Sequence, residues 1–206
     1  MQVTFYQYFY DAFYSSNKYS VITARRREGK TLHAVIYLFH QLQLNPNSKA
    51  LWVDTDQANL DKYYDRYWAF HLSEFVKKGI IKYNRQSHIL TFSNGSTIDF
   101  ASAERPENLE GFGYDYIVCN EAGIIFKKEA LWDNTIAPMA KNAKKVVLLG
   151  TPKGQNKFYE LSKRENISSE WKTFRINPEK SFEWTQEELD QLKMQVPEMV
   201  FRQEYC

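Results

Sequence analysis

The chain has 206 residues, 43% hydrophobic and 25% charged, with a net charge of +2. That is enough for one medium-sized domain that buries a single core without covalent staples. The charge excess is too small to mark a nucleic-acid-binding face by itself, and the two cysteines, Cys119 and Cys206, make neither a disulfide framework nor a zinc pattern. No signal peptide and no apolar run of membrane-spanning length is legible, so the expected compartment is a reducing cytoplasm.

In chain order, Phe5–Tyr14 reads as an aromatic helix and Tyr19–Ala24 as a strand. Leu32–Leu44 reads as a helix that stops before Asn45-Pro46-Asn47, and Ala50–Asp54 as a strand ending on an acid. Gln57–Lys78 has the pattern of one long helix stopped by Gly79. Ile80–Asn84, Ile89–Phe92 and Thr97–Ala101 are short strands, the last two joined by a turn over Ser93–Ser96. Asp115–Cys119 and Lys145–Gly150 are apolar strands, with Cys119 expected as a buried thiol. Between them Glu129–Lys141 reads as a helix that Pro138 should kink or break. Asn156–Lys163 is predicted helical, Trp171–Ile176 a strand, and Thr185–Gln195 a helix opened by a Thr185/Glu188 capping box. Continuous apolar strands alternating with helices imply a mainly parallel sheet covered on both faces. Ligands of such sheets gather at the carboxyl ends of the strands.

Three strand ends carry chemistry. Arg25-Arg26-Arg27-Glu28-Gly29-Lys30-Thr31 follows the first strand and opens a helix, the layout of a phosphate-binding loop. Lys30 would reach the β- and γ-phosphates, the Glu28 and Gly29 positions form the cradle, and the Thr31 hydroxyl would face Mg²⁺. Ala24 stands where the pattern has its first glycine, and three arginines inside the loop are unusual; alone, the segment could equally be a solvated basic turn. Asn120-Glu121 follows the apolar strand Asp115–Cys119, so Asn120 could help hold Mg²⁺ and Glu121 could position the attacking water. An amide at 120 brings no charge, unlike the usual Asp, and the plain alternative for Glu121 is an acid favouring a helix dipole. Gly150-Thr151-Pro152-Lys153-Gly154 follows the next strand, where Thr151 could sense the γ-phosphate. Gln7, upstream of the loop, has an amide able to pair with adenine.

Taken together, Tyr6-Gln7, Thr23–Thr31, Ser102–Phe112, Ile117–Ala122, Leu149–Gly154 and Phe201–Tyr205 resemble the N-terminal ATPase domain of the large terminase subunit of tailed bacteriophages, in that family's order and over nearly the whole chain. The resemblance implies a P-loop NTPase of the additional-strand (RecA-like) class, with a mainly parallel central sheet flanked by helices. It implies ATP and Mg²⁺ as ligands. Gln7 matches the adenine-binding glutamine, Lys30 and Thr31 the phosphate lysine and magnesium threonine, and Arg26 the loop arginine that contacts the γ-phosphate. Glu121 matches the catalytic carboxylate, and Gly150–Pro152 the coupling motif that links hydrolysis to a lid. Arg25 and Arg27 are not covered, and are expected as positive residues facing solvent or DNA.

Two positions depart from the family: Asn120 replaces the commoner Asp, and Glu110 stands where many relatives carry Arg, leaving Arg105 as a weak candidate for a trans-acting finger. The implied organisation is an ATPase core over 1–176 and a helical lid or linker over 177–206, leading to a nuclease domain that these residues do not contain. The implied activity is ATP-driven translocation of double-stranded viral DNA into a procapsid, in the host cytoplasm. The implied partners are the portal, the small terminase subunit and further copies in a ring. Two rivals are a helicase-like P-loop ATPase and a nucleotide-binding module in which Asn120 has abolished turnover.

Overall fold

The computed structural model describes residues 6–104, 113–151, 153–176 and 184–205, the last four by their backbone alone. Arg105, Glu110, Pro152 and Cys206 lie outside the described residues, as do Phe5 and most of the Ser102–Phe112 segment. Eight strands form one sheet. They are β1 (Tyr19–Thr23), β2 (Lys49–Asp54), β3 (Ile81–Asn84), β4 (Ile89–Phe92), β5 (Thr97–Ser102), β6 (Tyr116–Cys119), β7 (Lys145–Gly150) and β8 (Trp171–Arg175). Their order across the sheet is β3-β4-β5-β2-β6-β7-β1-β8. From β5 to β8 every neighbouring pair is parallel, while β3 and β4 extend the sheet as an antiparallel meander. The turn at Ser93–Ser96 closes the β4–β5 hairpin, with Gly95 at φ 85°.

Alternate residues of the central strands feed opposite cores, as the period of two requires. Ile22, Trp52, Val118 and Leu149 join Phe9, Phe13, Val35, Leu38 and Trp68 on one face. Val21, Leu51, Ile117 and Leu148 join Phe126, Trp132, Ile136 and Phe158 on the other. The first face is covered by α1 (Gln7–Phe13), α2 (Lys30–Leu44) and the segment that begins with α3 (Gln57–Tyr63). Each of several helices starts on a side-chain cap: Asp56 accepts from the Asn59 amide before α3, and Asn156 from the Tyr159 amide before a later helix, Lys157–Ser162. The predicted Thr185/Glu188 capping box is formed, opening the helix Gln186–Gln195.

Two predicted helices are corrected. Gln57–Lys78 is not one helix: α3 passes into a π-helical stretch, Tyr64–Ala69, and after a break at Leu72 a short α4 covers Ser73–Lys77. The wider π turn re-phases the chain, so that Tyr64 and Trp68 go into the core while Arg66 and Tyr67 face the strand tips. Glu129–Lys141 is likewise irregular, π-helical over Leu131–Ile136, briefly α-helical over Ala137–Met139, then 3₁₀ over Ala140–Asn142. Pro138 has no amide to continue an α ladder. Two helices had no bounds in the sequence reading: α5 (Ala122–Ile125) directly after Glu121, and Glu198–Tyr205 within the segment expected to be helical over 177–206. Cys119 is fully buried, and burial pushes its thiol up.

α5 docks against the end of β7 at two glycines. A Cβ on Gly150 would lie 2.8 Å from the Gly123 amide nitrogen, and one on Gly123 would collide with the Thr151 carbonyl oxygen. Neither backbone can give way cheaply, so Gly123→Ala should cost about 1–3 kcal/mol. In thermal unfolding this would read as a fall of roughly 2–12 °C for a chain of this size; an unchanged melting temperature would show that the two segments are not in close contact.

Candidate active site

The tips of β2, β6, β7 and β1 lie side by side, so the loops that follow them share one end of the sheet. β7 separates the strand leading to the phosphate-type loop from the strand leading to Asn120-Glu121. The loop leaves β1 at Thr23, and Ala24 stays in ladder with β7 by donating its amide to the Gly150 carbonyl at 3.2 Å. Within the loop, positive φ angles fall on Arg27 (62°) and Gly29 (77°), not on Ala24. Ala24 therefore needs no glycine freedom, which accounts for the loss of the first glycine.

Lys30 opens α2 and folds back over its own loop. Its ammonium donates to the Ala24 carbonyl at 2.9 Å, the Arg25 carbonyl at 2.7 Å and the Thr151 hydroxyl at 3.5 Å. Thr151 in turn donates to the Ala24 carbonyl at 3.2 Å. Lys30 is 8% exposed. Burial pushes its amine down to about 8; the charges of Glu121 and Glu28 pull it up, and Arg26 pushes it further down. A polyanion beside it would relieve burial's penalty, the electrostatics expected of a phosphate-binding lysine.

The expectation that Arg25 faces solvent or DNA is wrong. Arg25 is 2% exposed and forms an ion pair with Glu28, itself 1% exposed. The pair links residues 25 and 28 inside the loop. Glu28 thus holds the cradle by its side chain, while Arg26 and Arg27 remain exposed. Burying such a pair is tolerable only because both charges go in together.

At the next tip, the Thr31 hydroxyl donates to the Asn120 amide oxygen at 3.3 Å. The Asn120 amide nitrogen donates to Asp54 at 2.9 Å. Asp54, the last residue of β2, is fully buried and also accepts from the Trp52 indole at 3.3 Å and the Thr55 amide at 2.8 Å. Burial pushes its carboxyl up to about 6, against the lowering effect of these hydrogen bonds. Two neutral oxygens facing each other with a carboxylate directly behind them form a donor set that suits a hard cation such as Mg²⁺. The acid at the end of β2 was visible in the sequence, but only the pairing of β2 with β6 shows that it meets Asn120.

Glu121 follows at φ 54°, in the left-handed region uncommon for a residue with a side chain. That conformation turns the chain abruptly from β6 into α5 and leaves Glu121 lining a cleft of about 480 Å³ with Arg26, Arg27, Glu28, Gly29, Lys30 and Thr31. Arg66 and Tyr67, which the sequence did not single out, also line this cleft, from the π-helical stretch. Gln7 is not among the lining residues; it is exposed and its amide donates to Asp11 at 2.9 Å. A missed residue connects its segment to the loop instead. The His33 ring accepts from the Tyr6 amide at 3.2 Å, lies 2.8 Å from the Gly29 carbonyl and stacks on Phe9 at 4.3 Å. From the C-terminal end, Trp184 donates its indole N–H to the Arg26 carbonyl at 3.1 Å.

Residues 21–206 match the family described as terminase large subunit, T4likevirus-type, N-terminal. The chain belongs to the terminase large-subunit family. No curated protein matches the sequence closely. Among solved structures it is similar to the large terminase ATPase domain of Thermus phage P74-26, with a TM-score of 0.82 at 19% identity, covering 98% of this chain and 92% of that one. It is also similar to the large terminase of a thermophilic bacteriophage in complex with ADP (TM-score 0.74, 10% identity, 98% and 52% covered). The bacteriophage HK97 large terminase is a third (TM-score 0.75, 10% identity, 98% and 50% covered). The chain thus spans about half the length of the latter two. These likenesses fix the terminase fold, a RecA-like P-loop domain with an additional strand, here β7, between the two motif-bearing strands.

In this terminase domain a second lysine gives an internal control for the electrostatics. Lys145, at the opposite end of β7, is also pushed down to about 8 by burial, and its ammonium donates to the Ser15 and Asn17 carbonyls at 2.8 and 2.7 Å. Side-chain NMR of lysine should therefore show two amines titrating near pH 8, assignable with Lys30→Met and Lys145→Met. Pyrophosphate should raise the midpoint of Lys30 alone; a shift of both, or of neither, would show that Lys30 does not face the anion.

Proposed function

We propose that this chain is an ATP-hydrolysing motor domain that drives double-stranded viral DNA into a procapsid. The observation that carries the reading is the convergence of Lys30, Thr31, Asn120, Glu121 and Thr151 at adjacent strand tips of a terminase fold. ATP is the substrate, its phosphates in the loop 24–31 under Lys30 and the α2 amides, with Gln7 as the adenine ligand. The structures of the thermophilic phage terminase with ADP and with ATP-γ-S support nucleotide binding in this fold.

Thr31 and Asn120 would hold Mg²⁺, which when bound supplies neutralising charge on the phosphate oxygens. Glu121 orients a water in line with the γ-phosphate and accepts its proton. Arg26 stabilises charge as the γ-phosphate departs. Lys30 bonds both its own loop and Thr151, so a change at the γ-phosphate is felt at the tip of β7. Trp184 reaches the Arg26 carbonyl, which supports residues 177–206 as a lid that responds to the loop above a core at 1–176. The setting is the host cytoplasm, with the portal, the small terminase subunit and further copies of the motor as partners; among the described residues no helix is long and apolar enough to cross a membrane.

Phosphate release tests the reading directly. The wild type with ATP and Mg²⁺ should turn over, and Glu121→Ala and Lys30→Ala should lose about 10²–10⁴-fold. Arg26→Ala should lose turnover far more than ATP affinity; equal losses would make it a binding residue only. If the wild type binds ATP yet releases no phosphate, even with DNA and the rest of a large subunit supplied, the motor reading fails and a nucleotide-binding module replaces it.

A further inference from the structure

The neutral residue at the tip of β6 leaves a question of charge. Most carboxylates in this position would face Mg²⁺ directly, whereas Asn120 has none to give. Its amide has two ends, and the surrounding groups decide which way it points. On one side stands Asp54, fully buried. Each group bonding the Asp54 carboxylate is a donor: the Trp52 indole N–H, the Thr55 amide and hydroxyl, and the Asn120 side chain. A carboxylate only accepts, and an indole only donates. The Asn120 atom against Asp54 must therefore be the amide nitrogen, whichever orientation is assumed at the outset. The amide oxygen is then forced to the other side, 3.3 Å from the Thr31 hydroxyl.

The same contact explains why an aspartate would be poorly placed at 120. It would set two carboxylates about 2.9 Å apart, at the present Asn120–Asp54 distance, where like charges are costly. We propose that Asp54 is a positioning residue of the magnesium site: it locks the Asn120 amide with its oxygen toward Thr31 and supplies, from the neighbouring strand, the negative charge that the tip of β6 lacks. The charge has moved one strand sideways, from direct contact with the cation to the layer behind its ligands. Groups in that layer orient the ligands and tune affinity without touching the metal. The inference rests on the reading that Thr31 and Asn120 hold the cation.

The test uses Mn²⁺ binding to the ADP-bound protein, read by electron paramagnetic resonance. Asp54→Asn should weaken Mn²⁺ about tenfold or more, while ADP affinity in EDTA stays unchanged, because only the metal's surroundings are altered. The exchanged pair Asp54→Asn with Asn120→Asp restores one carboxylate and one amide, and should bring Mn²⁺ affinity back to within about threefold of the wild type. In EDTA, Asn120→Asp alone should lower the melting temperature and the exchange should restore it. If Asp54→Asn weakens Mn²⁺ by less than about threefold, the proposal is overturned. If that variant does not fold, the exchanged pair decides alone: a loss beyond about threefold overturns it. Thr31→Ala separates the two layers, since unaltered Mn²⁺ affinity there would sink the metal-site reading itself rather than the role of Asp54.

Discussion

The buried ammonium of Lys30 is the interaction on which the site depends. It draws two carbonyls of its own loop and the hydroxyl of Thr151 onto one point, and so joins the ends of β1 and β7. Each such charge-assisted bond contributes about 1.5–3 kcal/mol, set against a desolvation cost of several kcal/mol for a buried cation. The balance is close, which is why the amine is pushed down and why an anion in the cleft would be welcome. A loop held this way is both tight and responsive, because its central contact is one that a phosphate can replace.

Around that contact the chain builds rigidity from paired charges and close backbone approach. Arg25 and Glu28 brace the loop from within. Gly123 and Gly150 let α5 sit directly on the end of β7. Glu121 sits in the left-handed region at the turn from β6 into α5. His33 ties the first helix to the loop by its two ring nitrogens, and Trp184 ties the C-terminal segment to it by one indole bond. Neighbouring parts of the domain thus meet at the phosphate-type loop, so a change there has several short routes outward.

Much of this was legible. Short β-branched apolar runs such as Leu51-Trp52-Val53 and Val146–Leu149 fit strands buried on both faces, and a strand followed by Gly29-Lys30-Thr31 located the site. The helix pattern at Gln57–Lys78 misled because Tyr64 and Trp68 fit an α-helical stripe as well as a π-helical one; the packing of Tyr64 on Tyr83 and of Trp68 on Phe100 chose between them. Arg66 therefore could not be assigned to the cleft in advance. Arg25 misled for the opposite reason: an arginine in a basic run reads as solvated until a partner three residues on is seen to be buried with it.

The sequence by itself determined the class of fold, the order of the motifs and which side chains could handle phosphate. Those depend on local periodicity and on spacing along the chain. Only the tertiary structure decided the strand order that lays β2 beside β6, and hence the meeting of Asp54 with Asn120. Sixty-six residues separate the two in the chain, so no local pattern reports their contact. In sequence Asn120 is a missing charge; in the folded sheet it is an amide aimed by a carboxylate on the next strand.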